Sequence, residues 1–232
     1  RLVAPEIFLA LRRSCVPSAA SPAGRRRSLP CDVAGRLERS TADFDALASY
    51  ARRLDAAVVA MQEVDGPAAA KRVFPGHRFC FSGAPAVQNV GFAVRAGVPF
   101  RCGPDLVELS LDGRVRRGAE LILYPGTAAE IRLLAVHLKS GCGRRTLDSP
   151  REQCAALARQ VPVLERWIDA QAAAGRPFAV LGDFNRELLR DPGPARNAAG
   201  QPSSFWAEID DGDPPEADLV NAADGQAFAN CH

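Results

Sequence analysis

Apolar residues along the chain fall into short runs that stop abruptly on polar ones, and three of these stops carry chemistry. Phe178-Ala179-Val180-Leu181 ends on Gly182-Asp183-Phe184-Asn185. Ala56-Ala57-Val58-Val59-Ala60-Met61 ends on Gln62-Glu63-Val64-Asp65-Gly66, and Ile131-Arg132-Leu133-Leu134-Ala135-Val136 ends on His137-Leu138-Lys139-Ser140-Gly141. Four apolar residues in a row before Gly182 suit a strand covered on both faces. The glycine allows close backbone approach, and the two-residue period points Asp183 and Asn185 the same way. Taken singly, each stop is no more than a strand followed by a polar turn.

Between these runs the period alternates. Thr41 is placed to cap a helix in which Phe44, Leu47, Ala48, Ala51 and Leu54 recur at helical spacing, and that helix should pack on a strand at 57–64. Strands are predicted at 78–82, 90–95, 105–111, 119–124 and 131–137, with Gly, Pro and Asp between them, which implies antiparallel hairpins. Residues 150–172 form a long amphipathic helix with Cys154, Leu157, Ala158, Val161, Leu164, Trp167 and Ile168 on one stripe; Pro162 should kink or split it. A strand returns at 178, and the chain after Asn185 reads mostly as loop. Residues 1–40 read as an irregular or disordered lead-in, and 41–232 as one α/β (α+β) domain. Many strands with few helices predict a four-layer sandwich: two packed, mixed, largely antiparallel sheets flanked by helices.

Composition narrows this little. With 232 residues, 47% hydrophobic and 24% charged, the chain can bury one sizeable core. Of 29 basic residues only Lys71 and Lys139 are lysine, a bias that reads as base composition rather than selection for phosphate, and the net charge of +2 is small for a dedicated nucleic-acid binder. Arg25-Arg26-Arg27 reads as a solvated loop. No run approaches the roughly 18 apolar residues of a membrane span. Ile7-Phe8-Leu9-Ala10-Leu11 is a short candidate remnant of a signal h-region. Met61 is the only methionine, so the sequence is expected to be processed or incomplete.

Ligands in open sheets gather beyond strand ends, so the three ends can converge on one site. Glu, His, Asp and Asn together suit a phosphate bound through a hard cation. In this order, Gln62-Glu63, His137-Leu138-Lys139-Ser140 and Gly182-Asp183-Phe184-Asn185 resemble the motifs of the endonuclease/exonuclease/phosphatase superfamily of metal-dependent phosphoesterases. Asn89-Val90-Gly91-Phe92-Ala93-Val94-Arg95 is similar to the family's central strand, and the resemblance covers about residues 40 to 232. It implies a divalent-metal-dependent phosphodiesterase of the nuclease type acting by in-line attack of an activated water. Glu63 would bind Mg²⁺ or Mn²⁺, His137 would donate to phosphate or stabilise developing charge, Asp183 would orient the water, and Asn185 would hydrogen-bond water or phosphate. Asn89, Lys139 and Ser140 are substrate-binding candidates, with Gln62 in a second tier. The implied partner is a phosphate-ester substrate, nucleic acid included, and a monomer is expected.

The sequence also departs from the family. Residues 1–20 contain no asparagine where relatives carry a metal-binding one on the first strand. His232, the only late histidine, follows Cys231 rather than Asp and is not assigned as general base; Asp218 and Asn221 lead toward that region without a motif. The expectation is a domain truncated at its C-terminus. Seven cysteines form an odd set. Cys142 and Cys154 are placed to close the loop after the His137 strand, and Cys80 and Cys102 are a second candidate pair. Such bonds point to an exported or periplasmic protein, and the absence of CxxC or HxxxC spacing argues against zinc. Three readings follow: a metal-dependent phosphoesterase, a silent relative that binds phosphorylated ligands or partners, and an unrelated α/β binding module. A structure holding Glu63, His137 and Asp183 far apart would favour the third.

Overall fold

A computed structural model describes residues 39–83, 88–188, 191, 196–200 and 203–224. The lead-in, the Ile7–Leu11 run, Arg25–Arg27, Cys231 and His232 lie outside the described residues. The first helix, α1 (Thr41–Leu54), is capped by Ser40, not by Thr41 as predicted. Ser40 and Asp43 form a reciprocal capping box: the Asp43 amide donates to the Ser40 hydroxyl at 3.2 Å and the Ser40 amide to Asp43 Oδ2 at 2.7 Å. Phe44 and Ala48 of this helix are buried.

Strands β1 (Val58–Val64), β2 (His77–Phe81) and β3 (Asn89–Arg95) form an antiparallel sheet in the order β1-β3-β2. Strands β4 (Phe100–Cys102), β5 (Ala119–Leu123), β6 (Ile131–His137) and β7 (Phe178–Asp183) form a second sheet in that order, antiparallel except for the parallel β6–β7 pair. Helix α2 (Gly66–Val73), entered through Gly66-Pro67, joins α1 on the outer face of the first sheet. Helix α3 (Glu152–Ala173) and the short α4 (Phe205–Ile209) cover the outer face of the second.

The apolar alternation assigns the layers. Val90, Phe92 and Val94 of β3 meet Ala119, Leu121 and Leu123 of β5 and Leu133 and Ala135 of β6 in a core between the sheets. The opposite faces carry Val59 and Met61 toward α1 and α2, and Leu134 and Val136 toward α3. Each buried Val, Leu, Phe or Met side chain among these contributes roughly 1.5–3 kcal/mol of transfer free energy. Among the described residues, two disulfides brace the layers. Cys80–Cys102 links β2 to β4 and so joins the sheets, and Cys142–Cys154 ties the loop after β6 to the first turn of α3.

Three further expectations change. Residues 105–111 are not a strand: Leu106 makes one bridge with Gly118 and Val107–Ser110 form a 3₁₀ turn that buries the adjacent Leu109, Ser110 and Leu111 together. Pro162 does not split α3, which runs unbroken for 22 residues. The missing backbone donor is offset by burial of Leu157, Val161, Leu164 and Ile168 on its inner face. Phe178–Leu181 are half-buried rather than fully covered, because β7 is the last strand in its sheet among the described residues. The described residues after Asn185 are mostly loop, as expected, with α4, capped by the Ser204 hydroxyl, as the exception.

Candidate active site

The inter-sheet faces of β1, β6 and β7 each end in a polar side chain at the same end of the sandwich. On β6 the face that carries Leu133 and Ala135 continues to His137, and on β7 the face of Ala179 and Leu181 continues to Asp183. Parallel pairing sets His137 directly beside Asp183, with Nε2 3.7 Å from Oδ2. On β1 the face of Val58 and Ala60 continues to Gln62, which is 4% exposed.

Glu63 reaches this end through a bulge. Pairing jumps from Met61–Gly91 to Val64–Asn89, so Gln62 and Glu63 on β1 stand opposite Val90 alone. Glu63 takes a left-handed backbone with φ of 56°. A bulge re-aims a side chain, and a non-glycine residue in this region costs roughly 1–2 kcal/mol. Asn185, with φ of 53°, repeats the feature after β7. Its amide N–H donates to Asp183 Oδ1 at 2.8 Å and its Nδ2 to the Leu138 carbonyl at 3.0 Å, while the Leu138 amide donates to the Asp183 carbonyl at 2.9 Å. The exits of β6 and β7 are thereby zipped together. Gly182, with φ of 138°, passes so close to the Val136 carbonyl that a Cβ there would collide with backbone.

Arg116 completes the cluster, and the sequence reading passed over it. Its Nη2 lies 3.4 Å from Glu63 Oε1 and donates to Gln88 Oε1 at 2.5 Å, and its Nε donates to the Gln88 carbonyl at 3.2 Å. Burial works against its charge, and Glu63 and Asp183 support it. His137 is 7% exposed. Burial first and Arg116 second push its pKa down, Asp183 and Glu63 oppose them, and the imidazole is neutral near pH 7. Glu63, Arg116, His137 and Asp183 therefore share one electrostatic neighbourhood. Asn89 is buried beside the bulge, opposite Val64. Lys139 and Ser140 sit farther along the exit of β6: the Lys139 amide donates to Gln160 Oε1 and its ammonium to the Ser140 carbonyl at 3.2 Å, and Ser140 is exposed.

The donor set bears on the choice of cation. Among the described residues no group of three or more His, Cys, Asp and Glu side chains is arranged to hold a metal. A closed zinc site is therefore not built from them, whereas Mg²⁺, which takes one or two carboxylates and retains waters, fits the partly exposed Glu63 carboxylate. Around it, the buried Gln62 Nε2 and His137 Nδ1 have no hydrogen-bond partner among the described residues.

Comparison with known proteins agrees with this architecture. TDP2 from Caenorhabditis elegans superposes with a TM-score of 0.53 at 16% identity, over 66% of this chain and 45% of that one. A truncated form of the same protein gives 0.52 at 16% identity, over 66% and 59%. The chain thus spans less than two thirds of the length of these structures, and the likeness is one of fold. A search of curated proteins finds no match. The sequence model of the Endonuclease/Exonuclease/phosphatase family matches residues 31–215. With its two-sheet sandwich and the strand-end motifs inside that span, the chain belongs to the endonuclease/exonuclease/phosphatase family.

Proposed function

We propose that this chain is a divalent-metal-dependent phosphoesterase that hydrolyses phosphodiester bonds, nucleic acid among them, by in-line attack of an activated water. The carrying observation is the gathering of Glu63, Arg116, His137 and Asp183 at one end of the inter-sheet core. Hydrolysis of a phosphodiester must offset charge on the non-bridging oxygens, align a water and support the leaving oxygen. Glu63 would hold Mg²⁺ or Mn²⁺, and that cation would supply the main charge neutralisation. Arg116 would add a second cationic donor on the other side of the Glu63 carboxylate. Asp183, beside a neutral His137, would orient the water, with His137 hydrogen-bonding the phosphate. Asn185 would fix the turn and meet the water or phosphate. Asn89, Lys139 and Ser140 would contact substrate from the flanking strand ends. The disulfides Cys80–Cys102 and Cys142–Cys154 support an exported or periplasmic setting.

The test is hydrolysis of a chromogenic phosphate diester and the matching monoester with Mg²⁺ or Mn²⁺, and again with a chelator. Diester cleavage that the chelator abolishes is the expected result. A folded protein that cleaves neither ester with metal present would overturn the proposal in favour of a silent phosphate-binding relative.

A further inference from the structure

One residue after the catalytic candidates of β7, the Arg186 guanidinium is fully buried and spans three pieces of chain. Its Nη2 pairs with Asp191 Oδ1, and neither side chain has more than 2% of its surface exposed. Its Nη1 donates to the Arg145 carbonyl at 2.5 Å and approaches Cys142 Sγ at 3.7 Å. Asp191 is in turn saturated: its Oδ2 accepts from the Ser204 hydroxyl at 2.6 Å and from the Trp206 amide at 2.7 Å, at the start of α4. Arg145 lies in the loop that the Cys142–Cys154 disulfide pins to α3. The loops after β6 and β7 are thus joined twice, by Asn185 on Leu138 at the site and by Arg186 on the disulfide-closed loop behind it.

We propose that Arg186 is a positioning residue for the hydrolysis proposed above, acting with the Cys142–Cys154 disulfide as one clamp that fixes Asp183 and Asn185 against His137. A buried guanidinium is costly to hold, and although the Arg186 Nε has no hydrogen-bond partner among the described residues, its two Nη arms tie the Arg145 loop and Asp191 to the exit of β7 and so define the mutual geometry of these segments. Small displacements of positioned groups cost rate steeply, about 10²-fold per ångström in adverse cases. The clamp has a redox-sensitive half. An external dithiol attacks one sulfur of the disulfide through its thiolate, and its second thiol then resolves the mixed disulfide. Two electrons and two protons pass to Cys142 and Cys154, and the dithiol leaves as a cyclic disulfide.

Arg186→Lys keeps a cation opposite Asp191 but loses the arm that reaches the Arg145 carbonyl; the double replacement Cys142→Ser with Cys154→Ser opens the other half of the clamp and leaves Cys80–Cys102 intact. Two readouts apply to both: the kcat and KM of metal-dependent diester hydrolysis, and amide hydrogen exchange at Leu138 and Asn185 compared with Phe92 and Leu121 in the inter-sheet core. The expected result is a fall in kcat of about 10- to 100-fold with KM within about twofold, and faster exchange at Leu138 and Asn185 with the core pair unchanged. Unchanged exchange at Leu138 and Asn185 under both perturbations would overturn the clamp. So would a rise shared equally by the core pair, which would make Arg186 a general stabiliser only. The kinetic arm depends on the proposed hydrolysis and the exchange arm does not. A protein that cleaves no ester yet loosens locally at Leu138 and Asn185 would keep the clamp while the hydrolysis reading fails.

Discussion

Arg116 is held in place by its contacts to Gln88 and Glu63, and that arrangement makes it the most informative residue to perturb. Arg116→Met retains the apolar stem and removes the charge, and should lower kcat/KM for diester cleavage by about 10- to 100-fold, since removing one preorganised donor typically costs on that order. Arg116→Lys should recover part of that loss, because an ammonium supplies the charge without the planar fork. Glu63, His137 and Asp183 were legible in the sequence because each stands at the C-terminal end of an apolar run. Arg116 was not, for a physical reason. In an antiparallel sheet the N-terminal end of one strand lies beside the C-terminal end of the next, so Gln88 before β3 and Arg116 before β5 reach the same place. A search confined to strand C-termini misses them, and among so many arginines the residue type alone does not stand out.

At the scale of elements, periodicity located α1, α3 and six of the seven described strands, with bounds shifted by a residue or two. It misread 105–111 because alternating Val107, Leu109 and Leu111 mimics a strand, while the 3₁₀ turn buries Leu109 and Leu111 and leaves Val107 exposed. The unread elements, α2, β4 and α4, are short and bordered by Gly, Pro or Ser, which read as punctuation. Helix α3 carries a pH-dependent feature on the side away from the site. Burial, followed by the charges of Glu208, Asp211 and Asp169, raises the Glu165 pKa to about 7, against the pull of Arg196. Asp169 and Glu208 are raised too, burial leading in both. The folded state thus holds protons that the unfolded chain releases, so this contribution to stability is complete below about pH 4.5 and is lost as pH rises through about 7. Glu165→Gln should therefore raise the urea midpoint more at pH 8 than at pH 5. An equal effect at both would place the Glu165 carboxyl in an unperturbed setting.

At the largest scale the described residues form a pair of sheets with the polar ends of β1, β6 and β7 at one edge, and the Cys80–Cys102 disulfide crosses between those sheets. Replacing both cysteines by alanine should destabilise the domain by about 3 kcal/mol, the loop-closure contribution for a crosslink of this span, read from chemical denaturation. Layering was legible because the apolar alternation of β3, β5 and β6 demands two covered faces. The order β1-β3-β2 was not, since pairing between non-adjacent strands leaves no mark in local periodicity. Every sequence-derived site residue except Lys139 and Ser140 lies within this edge or directly against it, yet their chemistry is a claim about the assembled site. The most direct measurement is metal-dependent diester hydrolysis by folded Glu63→Gln and Asp183→Asn variants beside the unmutated protein. The account predicts losses of about 10²-fold or more in both, with unfolding midpoints that show each variant folded. Full activity in either would contradict it.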